Sequence, residues 1–465
     1  MGKLRSGLTR RQVMKRGATA AVGLSLPTFL TSLPALAASP LRKNIDSLSA
    51  EELDNYKHAV KILMDRSAAT PATKEGYAWQ AVLHNDFDRT RPDGEPGGCE
   101  HRSERFFPWH RAHLAGFEKI LRATDPARTA NVTIPYWDWT KPASGVRFPK
   151  ALEDTASPLF HGGRYHKPSD VPNDPFLLRT IQWDANDVRD NMVRPSDWLA
   201  IAGGAVGSDD EGPGKLEKGP HNKIHPSIGP TMGNPSLASR DPIYWSFHAY
   251  IDLVWARWQR LHTDATHPQP FSEPQTKIFV EPFIPAIGEM AQTDTMPAGF
   301  QYAYDYDFST DATPIVVASG PVTNRTTVAM VQNESFAQSA PIRVQPSNRK
   351  LLKVSGVAVL KDITYDLDVY VHPPSVNLAT LSAAEKKRYL ADSATMWKSG
   401  GHAHRPTALF FDLTKAIAAF GADDFSISII SGALASSATS AVAGPEAANL
   451  NAAGPLWRSL VLEER

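Results

Sequence analysis

The placement of histidines constrains this chain more than any other feature. In Lys218-Gly-Pro-His221-Asn-Lys-Ile-His225 the two histidines are four apart. On a helix that spacing puts both rings on one face, with Cβ atoms about 5–6 Å apart. Pro220, just before the pair, suits a helix start. His248 sits in an apolar, aromatic-rich stretch that reads as a buried helix over 243–258. Three imidazoles converging from two helices make one metal site. Upstream, His84, His101 and His110 lie around two more helical segments, 77–85 and 110–122. Two such sets on four helices predict a bundle with a binuclear centre inside. Carboxylate-bridged di-iron bundles use glutamates and Glu-x-x-His pairs. All-imidazole ligation suits copper or zinc better than iron, manganese or magnesium. Taken alone, His-x-x-x-His is as readily a surface accident or a single zinc site.

The residues around the histidines go further. His101-Arg-Ser-Glu-Arg-Phe-Phe-Pro-Trp-His110-Arg is followed by Ile134-Pro-Tyr-Trp-Asp-Trp139. Next come His221-Asn-x-x-His225, Asp241-Pro-Ile-Tyr-Trp, and His248-Ala-Tyr-Ile-Asp252-x-x-Trp255. In that order they resemble the type-3 copper family of tyrosinases, catechol oxidases and other polyphenol oxidases, over roughly residues 42–307. The second copper motif is similar to that of the plant enzymes. The resemblance implies a mainly α, four-helix-bundle catalytic domain holding two copper ions. The ligands it implies are His84, His101 and His110 for one copper, and His221, His225 and His248 for the other.

It also implies roles for nearby residues. Cys99 is the only cysteine and lies two residues before His101. Cys-x-His resembles the fungal tyrosinases, where sulfur is bonded to the imidazole as a thioether; a free thiol is the alternative. Glu217 and Asn222 match positions where plant relatives hold a water, which would take the proton of a phenol. A helix N-terminal charge is the other reading of Glu217, and Glu211 is a weaker candidate for the base. Asp252, one helical turn after His248, could hold a ligand imidazole through its second nitrogen or form a surface ion pair. Pro235 stands where many plant enzymes carry a phenylalanine that shields one copper, so a more open substrate path is expected. Phe247 replaces a histidine common there that is not a ligand. His113 is expected to pack beside the ligands, and Trp137 and Trp139 to belong to the core.

Charge and the chain ends complete the organisation. Lys+Arg and Asp+Glu are both 49, for a formal charge of zero. This argues against nucleic acid or an anionic membrane surface as the main partner. Residues 1–37 read as a twin-arginine signal peptide: Arg10-Arg11, a modestly apolar run and Ala35-Leu-Ala37. The expected location is therefore periplasmic or secreted. The run is too polar and proline-broken for a stable membrane anchor.

A helix is expected over 49–66, with Ser49 as N-cap and Glu52 closing a capping box. Residues 86–98 read as a surface loop, and 203–218 as a flexible, glycine-rich lead into the second histidine set. A first domain is expected over 38–311, ending near Tyr302-Ala-Tyr-Asp-Tyr306, which resembles a tyrosine motif of the plant enzymes. From 312 to 465 the pattern predicts an all-β sandwich or barrel. Its strands are expected at 341–346, 351–360, 364–372, 407–412, 425–431 and 457–463, with an Ala/Ser/Gly-rich excursion over 432–454. His402-Ala-His404 reads as a polar loop.

The function implied is oxidation by dioxygen of small phenols, with monophenols hydroxylated at the ortho position and o-diphenols taken to o-quinones. The alternatives are a catechol or o-aminophenol oxidase without hydroxylation, and a haemocyanin-like oxygen carrier. In relatives a C-terminal domain can plug the site with an aromatic side chain; Phe336 and Tyr370 are the candidates here.

Overall fold

The computed structural model describes residues 41–84, 99–141, 147–170, 183–262, 303–317, 321–333, 336–344, 348–398, 407–421, 423–433 and 455–465. Expectations for 1–37, 86–98, His402-Ala-His404 and most of 432–454 lie outside them. Pro40–Arg465 form one compact unit with two large hydrophobic cores, one helical and one between β-sheets, and a small third cluster around Trp79, Cys99 and Trp109.

Among the described residues, five helices of seven residues or more build the first part: α1 (Ala50–Ala69), α2 (Tyr77–Leu83), α3 (Phe106–Arg122), α4 (Asn222–Ile228) and α5 (Ile243–Leu261). α1 starts as expected: the Ser49 side chain accepts from the Glu52 amide, and the Glu52 carboxylate accepts from the Ser49 amide. α3 and α5 are buried almost all round, which marks central helices of a bundle. Their charges are therefore paired inside. Arg42 donates to Glu118 on α3 and Asp252 on α5, both at 2.7 Å. Arg111 donates to the other oxygen of Asp252, and the Tyr304 hydroxyl donates to Asp252 too.

Arg42 and Tyr304 face each other in a short parallel pair, β1 (Leu41–Arg42) and β2 (Ala303–Tyr304). The tyrosine motif thus ties the two ends of the helical part together. Arg257 of α5 then grips Asp311 through two bonds of 2.7 and 2.8 Å. Beyond it, Ile315 exchanges backbone hydrogen bonds with Arg194 and Ser196.

The second part is a sandwich of antiparallel strands. These are β3 (Asn324–Thr327), β4 (Met330–Asn333), β5 (Phe336–Ser339), β6 (Lys350–Val357), β7 (Tyr365–His372), β8 (Leu390–Met396), β9 (Thr407–Asp412), β10 (Ser426–Ala433) and β11 (Ser459–Glu464). One sheet runs β4-β5-β10-β7-β8 and the other β3-β11-β6-β9. Apolar residues from both faces, such as Leu352, Leu409 and Leu462 against Leu367, Val369 and Ile427, enclose one core. That is the alternation a sandwich requires. Of the strand expected at 341–346, the described residues 341–344 form a single bridge, Ile342 with Phe425.

The 203–218 stretch is packed at both ends, with 205–209 between them exposed. Gly203 has φ +99°, and a Cβ on Gly212 would meet the Ala408 carbonyl oxygen at 1.8 Å. Gly212 lets the helical part lie directly against β9, where the Ala408 amide donates to the Glu211 carbonyl at 2.9 Å.

Candidate metal centre

Six imidazoles meet at the heart of the bundle. His84 caps the end of α2, His101 lies on the loop before α3, and His110 sits one turn into α3. His225 is on α4 and His248 on α5. His221 departs from expectation in its local backbone. Pro220 does not begin a regular helix. Residues Glu217–His221 form a single wide turn, and Gly219 inside it is non-helical (φ −93°, ψ −107°). The missing N–H of Pro220 and this kink account for the change.

The rings pack closely. Centroids lie 5.0 Å apart for His101 and His110, 5.4 Å for His84 and His110, 4.5 Å for His221 and His225, and 5.1 Å for His221 and His248. His110 stacks on His248 at 4.5 Å. Nitrogens of His221, His225 and His248 lie within metal-ligating range of one another, as do those of His84, His110 and His248. His101 groups with His84 and Cys99.

Hydrogen bonds aim several rings. The Nδ1–H of His110 donates to the Phe106 carbonyl (2.7 Å), and that of His225 to the Met232 carbonyl (2.8 Å). His221 Nδ1–H donates to Asn222 Oδ1 (2.7 Å). Each bond leaves Nε2 with its lone pair facing inward. Both nitrogens of His84, Nε2 of His101, His110 and His221, and Nδ1 of His248 are buried with no hydrogen-bond partner. His225 Nε2 and His248 Nε2 face each other at 3.3 Å, roughly the edge of a tetrahedron with metal–nitrogen bonds of about 2.0 Å. Burial first, and then neighbouring imidazoles, hold all six far below the usual histidine range. Neutral, inward-facing, otherwise unsatisfied nitrogens are what metal ions require.

The surroundings match some expectations and correct others. Asp252 does not touch a ligand imidazole; its oxygens are taken by Arg42, Arg111 and Tyr304. On α5 it lies one turn from His248, but the buried guanidinium groups draw it the other way. Glu217 is buried, and its Oε1 accepts from the Arg102 backbone N–H at 2.7 Å, while Oε2 has no hydrogen-bond partner. Burial pushes its carboxyl up to about 8, against the pull of the Arg102 amide. Asn222 is engaged elsewhere: Oδ1 on His221, and Nδ2 donating to the Thr395 carbonyl of β8 at 2.8 Å.

Cys99 is buried with Sγ 3.1 Å from His101 Nδ1. Pro235 is buried, two residues after Gly233. Phe247 packs 5.0 Å from the His225 ring. His113 bonds the Tyr244 hydroxyl and the Gln80 carbonyl. Trp137 and Trp139 lie in the helical core.

The residue that the sequence reading missed is Trp397. It follows β8, yet it is part of the helical core. Its ring lies 4.3 Å from His225, 5.7 Å from His221 and 6.0 Å from His101, and its indole N–H donates to the Gly233 carbonyl at 2.9 Å. Phe336 and Tyr370 do not fill this place. Phe336 is paired within its sheet opposite Ile430, and the Tyr370 hydroxyl donates to Asp368. The available signal was a lone tryptophan just before Ser399-Gly-Gly. β8 is also clamped beside the site by Lys218 to Asp392 (3.0 Å) and Lys223 to Ser393 (2.8 Å).

A helical bundle enclosing six inward-facing imidazoles, joined to a β-sandwich, defines a binuclear metal protein with nitrogen ligation. Comparison with known proteins makes this specific. The common central domain of tyrosinase matches residues 74–195 and 179–261. A tyrosinase of Streptomyces lincolnensis is 30% identical over 249 residues, covering 48% of this chain and 83% of that protein. Tyrosinase HcTyr1 of Hahella sp. is 30% identical over 256 residues, 47% of this chain and 53% of its own length. The structure of latent apple tyrosinase superposes with a TM-score of 0.63 at 21% identity, covering 93% of this chain and 97% of that one. The chain belongs to the tyrosinase family of type-3 copper proteins. Its cofactor is the pair of copper ions of that family, and the donor set fits them. Among the described residues no helix is long and apolar enough to cross a membrane.

Proposed function

We propose that this protein is a tyrosinase-type polyphenol oxidase that ortho-hydroxylates monophenols and oxidises o-diphenols to o-quinones. His84, His101 and His110 hold one copper, and His221, His225 and His248 the other. The observation that carries the assignment is the set of buried imidazole nitrogens with no other partner. When bound, the copper pair supplies the activation of dioxygen. The protein's own groups do the rest. Burial keeps the imidazoles neutral, and the carbonyls of Phe106 and Met232 and the Asn222 amide oxygen fix which nitrogen faces inward.

A phenol, with a pKa of about 10, must give up its proton to coordinate. Glu217 accepts it at Oε2, since Oε1 is taken by Arg102. A carboxyl raised to about 8 is a far better base for that proton than an ordinary one near 4.3. Asn222 takes up its water-holding role only once Thr395 has moved away.

The chain from 312 to 465 acts as a cover, and Trp397 occupies the place a substrate ring takes. The apple protein it resembles in fold is a latent form, and the same condition is assigned to this chain. Cys99 Sγ lies beside the His101 ring and joins a ring carbon as a thioether: the S–H and that C–H bond are lost, and the two electrons and two protons pass to dioxygen as hydrogen peroxide. Residues 1–37 direct export by the twin-arginine route to the periplasm or the medium.

The test is the appearance of o-quinone from L-tyrosine and from L-DOPA with the copper-loaded protein after proteolytic trimming beyond Asp311. Quinone from both supports the proposal. Quinone from L-DOPA alone leaves a catechol or o-aminophenol oxidase and removes the role given to Glu217. Reversible dioxygen binding without turnover leaves a haemocyanin-like carrier.

A further inference from the structure

We infer that Glu217 is also a positioning residue: through Oε1 it holds the backbone of Arg102 in a left-handed conformation and so aims His101 at its copper. The inference rests on the copper-ligand assignment above. Three observations carry it. Arg102 has φ +60° and is the only non-glycine residue with positive φ among the described residues. Such a conformation is unfavourable for a side chain with a Cβ and persists only where its surroundings enforce it. The enforcing contact is the 2.7 Å bond from the Arg102 N–H to Glu217, which spans 115 residues of chain. Finally, the residue immediately before Arg102 is His101, whose Nε2 is buried and unsatisfied.

The consequence is a tie between the two halves of the centre. Glu217 opens the turn that ends at His221, while its carboxylate grips the loop that presents His101. Cys99 touches the His101 ring on Nδ1; Glu217 fixes the backbone behind that ring. The two carboxyl oxygens therefore divide their work, Oε1 for position and Oε2 for the proton. Loss of an outer partner of a metal ligand weakens metal binding by about 10- to 100-fold, and here the loss falls on the copper that His101 holds.

The experiment titrates full-length apoprotein with copper(II) alone and reads bound copper per chain and the EPR signal. The wild type is expected to bind two. Glu217→Ala is expected to keep one at the concentration that just saturates the wild type, with the EPR signal of an isolated copper(II). Glu217→Gln keeps an acceptor for Arg102 and is expected to bind two, although it cannot take a phenol proton. Glycine adopts φ +60° without enforcement, so adding Arg102→Gly to Glu217→Ala is expected to restore the second copper. Two coppers bound to Glu217→Ala with wild-type affinity would overturn the inference. So would one copper on Glu217→Gln, or no rescue by the double variant. If Glu217→Ala does not fold, the glutamine and double variants decide alone. A wild type that binds no copper would refute the ligand assignment itself.

Discussion

Replacing Trp397 with alanine should convert a closed enzyme into an open one. The indole is 4% exposed and sits against His225 and His221 at 4.3 and 5.7 Å. A buried tryptophan removes on the order of 200 Å² from water, worth about 5 kcal/mol at about 25 cal/mol per Å². Its N–H bond to Gly233 adds about 1 kcal/mol. Truncation of such a side chain typically costs about 3–5 kcal/mol. That energy is lost from the closed form alone, because the open form exposes the ring. Each 1.4 kcal/mol is a factor of ten, and apparent affinity scales with the open fraction. The apparent KM of the full-length protein for L-DOPA should therefore fall by roughly a hundredfold or more, with kcat little changed. Trp397→Phe keeps a ring but loses the hydrogen bond and part of the indole's area, so its KM should fall by at least about fivefold. Stopped-flow or oxygen-electrode kinetics on the copper-loaded variants measure both. If Trp397→Ala matched the wild type while proteolytic trimming still raised activity, the block would lie elsewhere and the reasoning would fail.

The buried charge network predicts stability effects without metal effects. Asp252→Ala leaves Arg42 and Arg111 inside the bundle without their shared carboxylate and should destabilise by about 3–5 kcal/mol. Denaturant titration should show that loss, while copper content stays at two because Asp252 touches no ligand. The six histidines are held neutral by burial, so below about pH 6.5 the unfolded chain binds protons that the folded chain does not. Apoprotein stability, followed by thermal melts across pH, should fall with acid by up to about 1.4 kcal/mol per pH unit for each histidine. Glu217 has the opposite sign: with its carboxyl raised to about 8, it becomes a base only as pH rises. Monophenol turnover should climb with pH to a midpoint at or somewhat below 8, since bound copper favours the carboxylate, and Glu217→Gln should abolish the step. Peptide mass mapping of residues 99–101 should show a loss of two hydrogen atoms if Cys99 and His101 are joined, and an intact thiol otherwise.

The six histidines that the structure brings together were legible because each sits in a local pattern, a helical spacing or an aromatic flank, that survives without knowledge of the fold. The capping box at Ser49 and Glu52 was legible for the same reason. What failed depended on distant partners. The i+4 spacing put Asp252 near His248, but Arg42, 210 residues away, decides where the carboxylate points. Pro220 suggested a helix start, while the non-helical backbone of Gly219 just before it makes residues 217–221 a wide turn instead. β8 was not foreseen because Leu390-Ala-Asp-Ser-Ala-Thr-Met396 has little apolar alternation. Its polar side chains meet Lys218 and Lys223 instead of solvent. With β8 unseen, the tryptophan at its end had no place in the reading. The glycines of 203–214 looked flexible for want of side chains, and at Gly212 that same lack is what lets β9 approach.

The most direct test of the whole account is a turnover of L-tyrosine under heavy-isotope dioxygen by the copper-loaded Trp397→Ala protein, with the product trapped as the catechol by ascorbate. The account predicts one labelled oxygen atom in the new hydroxyl group. A catechol without label, or no catechol from a protein that still oxidises L-DOPA, would contradict it.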